Sequence, residues 1–238
     1  MAALSRWEKK NKVTPRLVMT FGAIFDWDGV IIDSSGYHEE SWELLAKQEN
    51  KTLPPGYFKK AFGKKNEDII PEVLKWTQEK KEIQRLSGLK EKLYRQIMSD
   101  RGISPLRGVK PFLKMLHKNK IPCCVGSSTP RLNIATALEL LGLEDYFPLI
   151  IAAEDVSKGK PDPQVFLLAA RRLNLAPAQC IVFEDALAGI QAAKAGGMKV
   201  VAVTTTHPAS ELTEADLVVD RLDALSIAQL KAFFGNSR

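Results

Sequence analysis

Short apolar runs recur along the chain, and each ends in a polar cluster. Residues 21–25 (FGAIF) run into Asp26-Trp27-Asp28, 121–126 into Ser127, 149–153 into Glu154, 181–183 into Glu184, and 199–203 into a run of threonines. Apolar runs of this length without alternation predict strands buried on both faces. Between them lie stretches of helical period with readable ends. Thr129-Pro130 opens a helix that Gly142 closes, Asp162-Pro163 opens the next, and Gly196-Gly197 closes the one after Asp185. Strand alternating with helix predicts an α/β fold, a Rossmann-like parallel sheet with helices on both faces. Ligands of such sheets bind beyond the carboxyl ends of the strands, which is where the polar clusters fall.

One stretch breaks the alternation. From residue 34 to about 103 no strand-like run occurs, while helical period holds over 37–48, 68–82 and 86–98. These patterns predict an inserted α-helical cap domain, residues 34–104, within a catalytic core made of 15–33 and 105–238. Ser34-Ser35-Gly36 and Arg101-Gly102 at its junctions suit hinges that let such an insertion open and close.

Composition narrows the function classes. The 238 residues are 45% hydrophobic, enough to bury a core, and no run approaches the roughly 20 apolar residues of a membrane span. Residues 1–20 carry Arg6, Glu8, Lys9, Lys10 and Lys12 ahead of any short apolar run, which reads as a cytosolic leader and a cytoplasmic protein. Three cysteines, two of them adjacent inside an apolar run at Cys123 and Cys124, suit a reduced core better than disulfides or zinc. The formal charge of +6 is spread among acidic residues and forms no stripe, so small anionic substrates are expected and nucleic acid is not.

Asp26-Trp27-Asp28-Gly29 places two carboxylates just past a strand, one able to attack phosphorus and the other to serve the leaving oxygen. Such a pair is weak alone, because aspartate-rich turns are common. Its partners follow in order at other strand ends: Ser127 after CCVG, Lys160 in SKGKPDP, and Glu184-Asp185 after IVF. Four acidic residues facing a phosphate dianion cannot be offset by one lysine, so a divalent cation is required. Hard oxygen ligands favour magnesium over zinc, and only three histidines are present.

The set FDWDGVIID, CVGSS, GKPDPQVF and VFEDALAGIQAAKAG resembles the four motifs of the haloacid dehalogenase (HAD) superfamily, most closely its β-phosphoglucomutase-like, sugar-phosphate branch. The resemblance implies a phosphatase using an aspartyl-phosphate. Asp26 would be the nucleophile, Asp28 the general acid and base, and Ser127 and Lys160 the groups that hold the transferring phosphoryl. Asp26, the Asp28 carbonyl and Asp185 would ligate Mg2+, with Glu184 in direct or water-mediated support. Substrate candidates are His38, Lys64, Lys65, Asn66 and Lys90 in the insertion, with Ser128 beside Ser127.

The spacing of His38 from Asp26 matches a histidine of β-phosphoglucomutase, but phosphatases of the branch share it. In AFGKKNEDI, Asn66 occupies the position where the mutase carries an arginine for a second phosphate, and a neutral amide cannot form that bidentate pair. A mutase is therefore the alternative to hydrolysis. A dehalogenase would lack the second aspartate, and a phosphonate-cleaving relative would need a Schiff-base lysine of identifiable context. A non-enzymatic receiver-like signalling domain reverses the motif order and has no place for the insertion, and a catalytically dead binding protein would be expected to have lost Asp26 or Asp28. IPCCVGSSTPR, AAEDVSKGKPDP and the segment from His207 are also similar to HAD phosphatases of the riboflavin pathway. The expected partner is a small phosphorylated metabolite, with no nucleic acid or membrane, and the protein is expected to be a monomer or weak dimer.

Overall fold

The computed structural model describes residues 21–61 and 64–235. The leader read at residues 1–20, the start of the core at 15–20, and Phe62-Gly63 of the AFGKKNEDI segment lie outside them. In chain order the elements are β1 (Gly22–Phe25), helices α1 (Ser35–Gln48), α2 (Tyr57–Ala61) and α3 (Lys80–Arg101), then α4 (Val109–Lys118) and β2 (Cys123–Gly126). They continue with α5 (Arg131–Leu141), β3 (Leu149–Ile151), α6 (Gln164–Arg172), β4 (Cys180–Glu184), α7 (Leu187–Ala195), β5 (Lys199–Val203), β6 (Leu217–Val219) and α8 (Ile227–Ala232). By contact density the chain divides into two compact units: residues 34–103, and the remainder on either side of them.

The larger unit is a six-stranded sheet in the order β3-β2-β1-β4-β5-β6, every pair parallel. The five apolar runs all become strands; β6 is a further strand that its short, half-buried LVV did not announce. Both faces are covered, which is why the runs do not alternate. Ile24, Cys124, Val182 and Val200 join Phe166, Ala169, Ile190 and Ala193 of α6 and α7 in one buried cluster. The next residues along the strands face the other way and build an aromatic layer. Phe25 stacks on Phe183 at 4.6 Å and meets Phe147 edge-on at 5.4 Å, while Phe112 of α4 packs on Phe183 at 5.2 Å. Cys123, Cys124 and Cys180 are free and buried in this core, and burial pushes the Cys123 and Cys180 thiols up to about 12.

Chain order jumps on either side of β1: its neighbours are β2 on one side and β4 on the other. In open α/β sheets such a switch point is where ligands bind, beyond the carboxyl ends of the central strands.

The smaller unit is helical, with Trp42, Leu45, Ile69, Ile70, Leu74 and Leu86 among its core residues. The helices expected at 37–48 and 86–98 appear as α1 and the longer α3. The one expected at 68–82 does not form. Only a turn at Asn66–Asp68 leads into a π-helical turn, Ile69–Val73, after which 74–79 are irregular. Pro71 removes a backbone donor there, and Lys75 takes a left-handed conformation (φ 56°) that ends the helical path. Among the described residues, no helix is long and apolar enough to cross a membrane.

Candidate active site

Asp26 is the first residue beyond β1. Its N–H donates to the Phe183 carbonyl at 2.9 Å, which extends the β1–β4 ladder and fixes the residue at the switch point. Glu184 ends β4 and Asp185 follows it; Asp26, Glu184 and Asp185 are all buried, at 8%, 0% and 4% exposure. One carboxylate oxygen from each lies within 4.8 Å of the others. Lys160, from the loop before α6, places Nζ 2.9 Å from Asp26 Oδ1 and also donates to Glu184 Oε1. Phe166 of α6 lies 4.9 Å beneath the ammonium and supports it.

Three buried carboxylates thus share one ammonium, and the electrostatics follow. Burial, then the charges of Glu184 and Asp26, push Asp185 up to about 8. Glu184 is raised by burial, with Asp26 adding to the rise and Lys160 opposing it. Burial alone would lower Lys160, but Asp26 and Glu184 together hold it above the ordinary lysine range. Such a cluster carries excess negative charge that a small hard cation would offset, and an all-oxygen donor set suits one. The backbone makes room for the Glu184 carboxylate. Glu184 Oε2 accepts the N–H groups of Asp185 (2.9 Å) and Ala186 (3.0 Å), and Gly189 of α7 leaves the space that the carboxylate fills.

Gly189→Ala therefore sets two effects against each other. Alanine gains up to about 1 kcal/mol of helix propensity, but its methyl would overlap the Glu184 carboxylate, and displacing a buried charged acceptor from two N–H groups costs more. The variant is expected to melt below wild type by differential scanning calorimetry; an unchanged or higher Tm would show that Glu184 is not held as described.

The remaining core residues predicted from sequence stand on adjoining strand ends. Ser127 follows β2 and is 2% exposed, its N–H bonded to the Ile151 carbonyl at 2.9 Å and its Oγ accepting from Thr129 N–H at 3.2 Å. Asp28 accepts a hydrogen bond at Oδ2 from the Thr129 hydroxyl. Ser128 is exposed. Thr129 and the two glycines that make space for carboxylates, Gly29 and Gly189, escaped the sequence reading, because a hydroxyl contact and a missing Cβ leave no periodic signal.

Within the helical unit, His38, Asn66 and Lys90 come together and Lys64 and Lys65 do not join them. Lys90, 2% exposed, donates to His38 Nδ1 at 2.6 Å and to Glu91 Oε1 at 3.0 Å; the Asn66 amide donates to the same Glu91 oxygen at 2.7 Å and to Ser87 at 3.1 Å. An ammonium can only donate, so His38 Nδ1 is unprotonated and the ring carries its proton on Nε2. Lys64 instead pairs with Glu72 at 3.2 Å on the surface, and Lys65 is exposed.

Burial, reinforced by Lys90 and opposed by Glu91, lowers His38 to about 3. A histidine depressed below its unfolded value near 6.5 contributes stability that is present above pH 6.5 and lost as pH falls towards 3. Between pH 6.5 and 5, wild type should therefore lose stability relative to His38→Asn in parallel urea titrations. A constant difference between the two across that range would show that His38 is not held neutral.

The profile of the haloacid dehalogenase-like hydrolases matches residues 22–197, which includes every strand that carries the acidic cluster. The chain belongs to this hydrolase family. The chloroplastic 5-amino-6-(5-phospho-D-ribitylamino)uracil phosphatase of Arabidopsis thaliana is 42% identical over 88% of the chain, which spans 57% of that relative's length. The validoxylamine A 7'-phosphate phosphatase of Streptomyces hygroscopicus subsp. limoneus is 32% identical over 84% of the chain and 93% of its own length. Among solved structures, a β-phosphoglucomutase from Clostridium difficile superposes with a TM-score of 0.77 at 28% identity, covering 91% of this chain and 97% of that one. As a HAD hydrolase the chain is an enzyme, and the receiver-like reading falls away.

Proposed function

We propose that this HAD enzyme is a Mg2+-dependent phosphatase of small phosphorylated metabolites, of the sugar- or ribityl-phosphate type, that works through an aspartyl-phosphate on Asp26. The observation that carries the reading is the grouping of Asp26 with Lys160 at 2.9 Å and with the buried oxygens of Glu184 and Asp185 within 4.8 Å, at the sheet's switch point. Asp26, Asp185 and the Asp28 carbonyl would hold the cation with Glu184 in support; bound there, it offsets charge on the phosphoryl and orients it.

The chain's own groups then divide the work. Lys160 neutralises the incoming phosphoryl and holds the Asp26 side chain in place. Asp26 attacks phosphorus, and Asp28 gives its proton to the leaving alkoxide. Asp28, now a carboxylate, takes a proton from the water that cleaves the aspartyl-phosphate, so one carboxyl serves both half-reactions. Ser127 donates to the phosphoryl oxygens. The helical insertion is proposed as a cap that selects substrates, with the His38, Lys90, Glu91 and Asn66 cluster as its polar feature. Three free, buried thiols suit a reducing, cytoplasmic setting.

Asn66 favours hydrolysis over the mutase alternative, because its amide is engaged with Glu91 and Ser87 and offers no cationic fork for a second phosphate. The 42% identical relative, a phosphatase of a phosphoribityl compound, supports the same reading. The test is phosphate release from a panel of sugar, polyol and nucleotide monophosphates, with Mg2+ or EDTA. Release that needs Mg2+ and ranks ribityl or sugar phosphates highest supports the proposal. Isomerisation of β-glucose 1-phosphate without release would favour the mutase.

A further inference from the structure

The run of threonines that closes β5 has no part in the reaction as set out above, yet it reaches the acidic cluster. Thr204 extends the sheet: its N–H donates to the Val219 carbonyl at 3.1 Å and its hydroxyl to Asp220 Oδ1 at 2.9 Å. Beyond it, the loop is pinned by Leu212, which is fully buried in the aliphatic cluster. Held between these points, Thr206 donates its hydroxyl to Oδ2 of Asp185. A second observation meets the first at the same atom. Gly29, in the turn after Asp28, has φ +74°, and a Cβ there would overlap Asp185 Oδ2 and stand 3.1 Å from Thr206 Oγ1. Asp185 Oδ2 is thus closed in by a hydroxyl on one side and by a backbone with no side chain on the other.

We propose that Thr206 is a positioning residue for the divalent cation, fixing the Asp185 carboxylate so that it meets the metal already oriented. This rests on the magnesium reading above and extends it to a residue outside the four motifs. A free aspartate samples several staggered side-chain states, and choosing one on binding costs affinity. Partners of this kind behind a ligating carboxylate typically change metal affinity by about 10- to 100-fold when removed.

The experiment is titration calorimetry of Mg2+ into wild type, Thr206→Val, Thr206→Ser and Asp185→Asn, with melting in EDTA beside each. Thr206→Val keeps the shape and removes the donor. It should bind Mg2+ about 10- to 100-fold more weakly while its metal-free Tm stays at the wild-type value, and Thr206→Ser should recover affinity to within a few-fold. In turnover, the Mg2+ concentration for half-activation should rise by the same factor while kcat at saturating Mg2+ changes little. Wild-type affinity in Thr206→Val, with Asp185→Asn impaired, would overturn the role of Thr206 alone. A loss that tracks a lower metal-free Tm and is not recovered by serine would overturn it in favour of a structural role. Failure of wild type to bind, or normal binding by Asp185→Asn, would overturn the magnesium reading and this inference with it.

Discussion

Asp26→Asn is expected to lose phosphatase activity by at least about three powers of ten while remaining folded. An amide cannot form the aspartyl-phosphate, and removing a covalent nucleophile leaves only what binding and electrostatics supply. The fold should tolerate the change. Asp26 contributes to the strain in its cluster, since its charge helps to raise both Glu184 and Asp185. Its backbone N–H bond to Phe183, which places the residue, is kept in the variant. Metal-free Asp26→Asn should therefore melt at or above the wild-type temperature. Steady-state phosphate release and calorimetry in EDTA check the two halves separately: residual activity near wild type would remove Asp26 from the mechanism, and a large fall in Tm would mean that loss of activity reports unfolding.

Asp28→Asn should behave differently, and the difference identifies its role. Proton transfer by a positioned carboxyl contributes about 10^2- to 10^4-fold, so turnover of alkyl phosphates such as sugar or ribityl phosphates should fall by that factor. Acetyl phosphate has a leaving group that needs no proton, so the variant should still transfer its phosphoryl group to Asp26. Hydrolysis of the phosphoenzyme then lacks its base. Rapid-quench kinetics should show a burst of one equivalent of acetate followed by slow turnover. Equal losses on alkyl and acetyl phosphates, with no burst, would show that Asp28 does not act as acid and base.

Most of the sheet was legible in the sequence because its strands are buried on both faces and read as continuous apolar runs; β6, at the edge and half-buried, did not. The cluster was legible because its carboxylates stand at the ends of those runs, where a parallel sheet gathers side chains from distant positions, and because Lys160 follows in the loop between β3 and α6. What escaped was of two kinds. The expected helix at 68–82 satisfied an apolar period but ignored Pro71, whose missing donor mattered more than the pattern. Thr129, Thr206, Gly29 and Gly189 act through single contacts or through the absence of a side chain, which no period or spacing encodes. Of the lysines offered for substrate, only Lys90 is buried in a polar cluster; Lys64 and Lys65 were equivalent to it by charge alone and differ in burial.

The most direct test of Asp26 as phosphoryl carrier is to mix Asp28→Asn with acetyl phosphate and Mg2+, quench, reduce with borohydride, and map the product by peptide mass spectrometry. Reduction of an aspartyl-phosphate yields homoserine, and homoserine in place of Asp26, absent when Mg2+ or acetyl phosphate is omitted, is the expected result. Reduction at another residue, or none while wild type releases phosphate under the same conditions, would contradict it.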